Sequence, residues 1–288
     1  MAGNILRKGF PLSVYNRTPE KAEQFRRKNV PFYQTPKELA GNCDVIISMV
    51  TGPSDVKEVI LEEDGAAAGA EKGTIIIDMS TIGPAAAREV EATLAKKGMD
   101  FLDAPVTGST PKAISGELTI FVGGERKVFD CAKNVLSAMG TNVFYIGPSG
   151  SGQAIKLVNN LLVGETLVAL AEGMLLAQRL GLSMDQVEQF LADVPVVSPY
   201  MKMKMPGLVS GRYPLAFSVS NLQKDLKLAL TDSHSGAGEF PILEIAEKLY
   251  IRGKETGLAD EDISTVIELL KKPVSHSNMA GKGKKEYN

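Results

Sequence analysis

The chain has 288 residues, 44% of them hydrophobic, with 28 Gly, 15 Pro and a formal charge of −2 from 32 basic and 34 acidic side chains. That length carries about two domains with ample apolar surface for a core, and the composition excludes collagen, intrinsic disorder and a disulfide scaffold. A near-neutral balance supplies no field for nucleic acid or an anionic membrane, so the expected partner is a diffusible small molecule.

The opening residues MAGNILRKGF lack the long apolar core of a signal peptide, and a cytoplasmic protein is expected. From there to about residue 147, short β-branched runs alternate with helical stretches. The runs are PLSVY (11 to 15), DVIISMV (44 to 50), TIIIDMS (74 to 80), MDFLDAPV (99 to 106), ELTIFVGG (117 to 124) and NVFYIG (142 to 147). Thr18-Pro19, Thr35-Pro36 and Gly83-Pro84 each place Pro at a first helical position. Nearly all-apolar strands separated by helices predict a doubly wound α/β sheet covered on both faces, over residues 1–150.

After Gly147 the strand signals stop. Gly152 to Leu180 reads as one helix of about 43 Å. Its most apolar part, Leu157 to Ala177, is interrupted by Glu165 and Glu172 and flanked by Lys156 and Arg179, so a buried soluble helix is expected in preference to a membrane span. Ser183 with Gln186 forms a capping box, and further helices are expected near 220 to 232, 241 to 255 and 261 to 271. An all-helical domain over 151–272 and a disordered tail over 273–288 complete the expected organisation.

Cys43 and Cys131 match no metal spacing and are expected to be buried thiols. With only His234 and His276 available, no histidine-centred mechanism is expected. In doubly wound folds the ligand lies beyond the carboxyl ends of the strands, so the strand ends are the candidates. Asn16, Arg17 and Thr18 close the first run with donors, a positive charge and no carboxylate. They are either a polar turn or a ribose-phosphate site favouring NADP over NAD. Met49-Val50-Thr51 and Met79-Ser80-Thr81 offer small and hydroxylated positions where a cofactor could approach the backbone. Thr107, Gly108 and Ser109 either hold a carboxylate, helped by a helix starting near Pro111, or form a capped tight turn.

Lys156 and Asn160, four apart, share one face of an otherwise apolar helix. The lysine either snorkels to solvent or sits in a cleft. In a cleft, desolvation lowers its pKa and makes it a proton donor and acceptor near neutral pH.

Taken together, NRTPEK (16 to 21), DMST (78 to 81), DAPVTGS (103 to 109), GELTIFVGG (116 to 124), GxxxKxxxN (152 to 160) and KDLKLA (224 to 229) resemble the β-hydroxyacid dehydrogenase family, with every motif in order from Met1 to about Lys271. The resemblance implies a Rossmann-like cofactor domain followed by a helical domain, and NAD(P)-linked interconversion of a 3-hydroxyacid and its semialdehyde. It implies Lys156 as acid/base with Asn160 assisting, Thr107 and Gly108 on the substrate carboxylate, and Val50, Thr51 and Thr81 on the nicotinamide side. Lys224 would reach in from the helical domain. A homodimer or homotetramer is expected, since long apolar helices commonly pack across subunits.

Two departures stand out. The family usually has Ser where this chain has Thr107, so the pocket gains a methyl. The strand and G-x-G-x-x-G loop that open the family fold are missing, because Met1-Ala2-Gly3-Asn4 already corresponds to the helix after that loop. Two explanations compete: a dozen or more further residues precede Met1 in the native protein, or this is a natural short form that binds cofactor weakly and serves as a binding or interaction protein. A 6-phosphogluconate dehydrogenase would need a larger helical domain and His in place of Asn159. The retained Lys156 opposes imine-reductase chemistry.

Overall fold

The computed structural model describes residues 1–233 and 238–271. His234, His276 and the expected tail 273–288 lie outside the described residues. In chain order the elements are α1 (Ala2–Arg7), a 3₁₀ turn (Pro19–Ala22) leading into α2 (Glu23–Arg26), α3 (Pro36–Ala40), β1 (Val45–Ser48), α4 (Pro53–Leu61), β2 (Ile75–Asp78), α5 (Pro84–Ala95), β3 (Asp100–Asp103) and β4 (Val106–Thr107). There follow α6 (Ser109–Ser115), β5 (Leu118–Gly124), α7 (Arg126–Leu136), β6 (Gly140–Gly147), α8 (Ser151–Arg179), α9 (Met184–Leu191), α10 (Pro199–Ser210), α11 (Val219–Ser233), α12 (Pro241–Glu255) and α13 (Val266–Lys271). Contacts group them into two compact units. One is Met1–Gly164 with Asn221–Glu247; the other is Glu165–Ser220 with the described residues from Lys248 onward.

The first unit is built on a sheet of order β1-β2-β3-β5-β4, with β6 paired to β5. β1, β2 and β3 run parallel, β5 runs antiparallel to β3 and β4, and β6 is parallel to β5. Side-chain alternation sends the strands' apolar residues to both faces. Ile46, Ile76 and Phe101 join Val56, Ile60, Val90 and Leu94 of α4 and α5 in one core. Ile77, Leu102, Ile120 and Val122 join Ile5 of α1 and Phe129, Leu136 and neighbours of α7 in the other. This two-faced burial explains the unbroken apolar runs, and it is the expected α/β architecture.

Three local expectations change. PLSVY is not a strand: only Val14 bridges, to Phe32. A strand needs a ladder partner, and the outer edge of β1 pairs with no strand among the described residues. Between them lies a cavity of about 1130 Å³, with Leu12, Val14, Val45, Ile47, Val135 and Met139 in its lining. The run 99 to 106 is cut in two at Ala104-Pro105, where Pro105 has no N–H to give a ladder. Cys131 is exposed and Cys43 half-buried, not buried thiols. In α7 the buried arc is Val128, Phe129, Ala132 and Leu136, and Cys131 lies outside it.

The second unit is helical. Ser183 caps α9, and Gln186 returns the bond to Ser183 N at 2.8 Å, which closes the capping box. Asp262 holds the unit together: it pairs with Lys204 at 2.8 Å and accepts from the backbone N–H of Ala216, Phe217 and Ser264. The 29-residue α8 contributes to both units. Among the described residues it is the one helix long and apolar enough to cross a membrane by length and composition. It nevertheless carries buried Gln153, Lys156 and Asn160.

Candidate active site

The start of α8 is pressed onto the sheet. A Cβ on Gly152 would lie 2.5 Å from Phe121 O and 2.7 Å from Asp103 O, and one on Gly123 would lie 2.5 Å from Asp103 Oδ1. Only glycine at both positions permits that approach. Asp103, at the end of β3, accepts from Gly150 N–H at 2.7 Å and Gln153 N–H at 2.8 Å, which satisfies orphan donors of the helix N-terminus. Burial pushes its carboxyl up to about 6 while these amides pull it back. Gln153 reaches the turn after β2. Its Oε1 accepts from Ile82 and Gly83 N–H at 2.9 and 3.1 Å, and its Nε2 donates to Ser80 O at 2.8 Å.

One turn further on, Lys156 is 8% exposed and Asn160 2%, which settles the open choice between snorkelling and burial. Asn160 Nδ2 donates to Asp225 Oδ2 at 2.5 Å and its Oδ1 accepts from Asn159 at 2.9 Å. Lys224 Nζ lies 2.8 Å from Asp225 Oδ1 as an ion pair and donates to Thr81 O at 2.7 Å. Among the described residues Lys156 Nζ makes no hydrogen bond. Burial lowers the Lys156 ammonium to about 8, with Lys224 adding to the fall and Asp225 opposing it. Burial likewise pushes the Asp225 carboxyl up, against the pull of Lys224, Lys156 and Asn160. A buried, unpartnered amine that titrates near neutral pH can give or take one proton.

The other predicted residues fall into two places. Asn16, Arg17 and Thr18 are exposed and share the cavity beside β1 with Val50 and Thr51. Asn16 Oδ1 accepts from Thr18 N–H at 2.8 Å, forming a polar turn, and Arg17 stands 3.7 Å from Asp55. Thr81 belongs instead to the cluster around Lys224, and Val50 is joined to that cluster through Ser80. Thr107 lies in β4 opposite Thr119, followed by Gly108 at φ +134° and Ser109 in the left-handed region at φ +59°. No hydrogen bond among the described residues joins these three to Lys156. Lys224, on α11, groups by its contacts with the first unit, and its Nζ is engaged by Asp225 and Thr81 O.

Sequence reasoning does not single out Asp225, Gln153, Asp103 or Asp78 as site residues. Asp225 had one signal, a carboxylate between the apolar Leu222 and Leu226 on the buried side of a helix.

A two-faced α/β sheet, whose strand ends meet a helix carrying a buried lysine and asparagine, is the layout of a dinucleotide-linked oxidoreductase. Residues 1–147 match the NAD binding domain of 6-phosphogluconate dehydrogenase. Residues 150–270 match the NAD-binding domain of NADP-dependent 3-hydroxyisobutyrate dehydrogenase. The chain is 33% identical over 271 residues to glyoxylate/succinic semialdehyde reductase 2, chloroplastic, of Arabidopsis thaliana, covering 94% of this chain and 76% of the relative. It is 30% identical to 2-(hydroxymethyl)glutarate dehydrogenase of Eubacterium barkeri, covering 93% and 90%. The solved structure of a Mycobacterium tuberculosis 3-hydroxyisobutyrate dehydrogenase with L-serine superposes with a TM-score of 0.86 at 28% identity, covering 94% of each chain. The chain belongs to the β-hydroxyacid dehydrogenase family and is an NAD(P)-linked oxidoreductase.

Proposed function

We propose that this chain interconverts a small 3-hydroxyacid and its semialdehyde in the cytoplasm, as a homodimer or homotetramer, with NADP preferred to NAD. The observation that carries this reading is the Lys156 amine, buried and without a hydrogen-bond partner among the described residues, on a helix locked to the sheet by Asp103 and Gln153. The bound nicotinamide would exchange hydride at C4 with the substrate carbon, so the chain itself supplies alignment and one proton. In reduction Lys156 protonates the forming alkoxide; in oxidation its neutral form takes the proton back. Asn160, fixed by Asp225, orients the substrate oxygen. Thr107, Gly108 and Ser109 take the carboxylate, and the Thr107 methyl narrows that end. Lys224 is better read as holding Thr81 and Asp225 than as a direct cofactor ligand.

The residues present fit two parts of a dinucleotide. Asn16, Arg17 and Thr18 would hold the adenosine end, and Val50, Thr51 and Thr81 the nicotinamide end, with Asn16 to Thr18, Val50 and Thr51 opening on one cavity. The second reading is a weakly cofactor-binding member of the fold acting as a binding or interaction protein. A panel of small semialdehydes and hydroxyacids with NADPH and NADH, with Lys156→Ala as control, separates them. Turnover by the parent that is lost in Lys156→Ala supports the enzyme; equal rates in both end it. Arg17→Glu is expected to move preference toward NADH.

A further inference from the structure

We propose that Asp78 is a positioning residue for the nicotinamide side of the site, holding the segments that follow β1 and β2 at one fixed spacing. The proposal rests on the reading of Val50, Thr51 and Thr81 given above. Asp78 ends β2 and is wholly buried. Its Oδ1 accepts from Ser48 Oγ at 2.7 Å, Ser80 Oγ at 2.7 Å and Ser80 N–H at 3.3 Å. Ser80 Oγ in turn accepts from Val50 N–H at 2.9 Å. A single carboxylate oxygen thus ties the last residue of β1 to the turn after β2, and through Ser80 to the backbone of Val50. Gln153 grips the same turn at Ser80, Ile82 and Gly83, so the strand ends and the helix of Lys156 are set against one another.

A carboxylate in this place is costly unless hydrogen-bonded. What the carboxylate adds is fixed geometry between two segments, and reacting groups misplaced by about 1 Å lose roughly a hundredfold in rate. Asp78 Oδ2 has no partner among the described residues. An asparagine could therefore keep the accepting oxygen and lose none of these bonds, at the cost of burying its amide N–H groups.

The test uses Ser80→Ala, Asp78→Ala and Asp78→Asn in the full chain, with hydrogen exchange at the Val50 amide and NADPH KM against kcat as readouts. Ser80→Ala is expected to speed Val50 exchange and raise NADPH KM by about tenfold each, as loss of one hydrogen bond implies. The pH midpoint of turnover should stay in place. Asp78→Ala should match Ser80→Ala in both readouts, and Asp78→Asn, which keeps one accepting oxygen, should recover most of that loss. Ser48→Ala, which cuts the other arm, replaces Ser80→Ala should the latter not fold. Unchanged exchange and KM in the serine variant overturn the proposal, as does a loss of thermal stability with KM unmoved. Failure of Asp78→Asn as complete as that of Ser80→Ala also overturns it, because charge and not spacing would then be what matters. A parent that takes up no NADPH overturns the functional reading and this proposal with it; Val50 exchange tells that failure from an absent bracket.

Discussion

Asn160 and Asp225, 65 positions apart in the chain, meet at 2.5 Å, and the other oxygen of the same carboxylate faces Lys224 at 2.8 Å. Asp225 therefore fixes an amide with one oxygen and a cation with the other. Asp225→Ala is expected to lower kcat by roughly ten- to a hundredfold, the effect of leaving buried partners unmatched. It should also move the Lys156 midpoint further down, since Asp225 is the charge that favours the ammonium. A pH–rate profile checks this; a midpoint that rises contradicts the assignment.

Lys156 gives the sharpest pH dependence. With its amine at about 8, semialdehyde reduction should fall as pH rises through about 8, and hydroxyacid oxidation should rise over the same span. The folded value lies below the ordinary 10.5, so the unfolded chain binds more protons between the two. Stability from this group is fully present above the unfolded value and lost as pH falls through the folded one. Lys156→Met should thus lose roughly a hundred- to ten-thousandfold in turnover and yet be more stable than the parent at pH 7, by on the order of a few kcal/mol. Urea unfolding of both proteins at pH 7 and near pH 10.5 tests the pair of claims, and the gap should close at the higher pH.

Two glycines of α8 should respond oppositely to alanine. At Gly152 the added carbon runs into Phe121 O and Asp103 O, and the helix start must lift; a destabilisation of about 2–3 kcal/mol is expected, with turnover impaired. Gly173 has open space within 4 Å, and alanine there should stabilise by up to about 1 kcal/mol. Thermal melts of the two variants decide it; similar shifts of the same sign would contradict the packing account.

The cavity beside β1 has the setting for an extended strand: a strand edge unpaired among the described residues on one side, Leu12 and Val14 on the other, and apolar side chains in its lining. A chain extended upstream of Met1 by an apolar strand and a glycine loop is expected to melt at least about 5 °C higher, from added apolar burial and ladder bonds, and to bind NADPH more tightly. Titration calorimetry and melting of the two lengths side by side provide the comparison. Equal values for both would show the cavity to be self-sufficient.

Much of the frame could be read from residue types. The β-branched runs of β1, β2, β5 and β6, Pro at the first turns of α3 and α5, the length of α8 and the Ser183 capping box all follow from local rules. Lys156 and Asn160 stood out because charge and amide are rare on an apolar helix face. What local rules miss is partnership. PLSVY alternates like a strand but has no ladder to join, and Cys131 sits in a helical pattern but off its buried arc. Asp103, Gln153 and Asp225 act through hydrogen-bond partners 47 to 73 positions away. The need for Gly152 appears only once Asp103 lies beneath it.

Cys43 and Cys131, unremarkable for chemistry, both face the cavity beside β1. They form a ready-made pair of sensors for whatever fills that space. A maleimide dye should label exposed Cys131 faster than Cys43, whose thiol is pushed up by burial and Asp44, and a ligand in the groove should slow both, so occupancy becomes visible in a cuvette without any substrate being known.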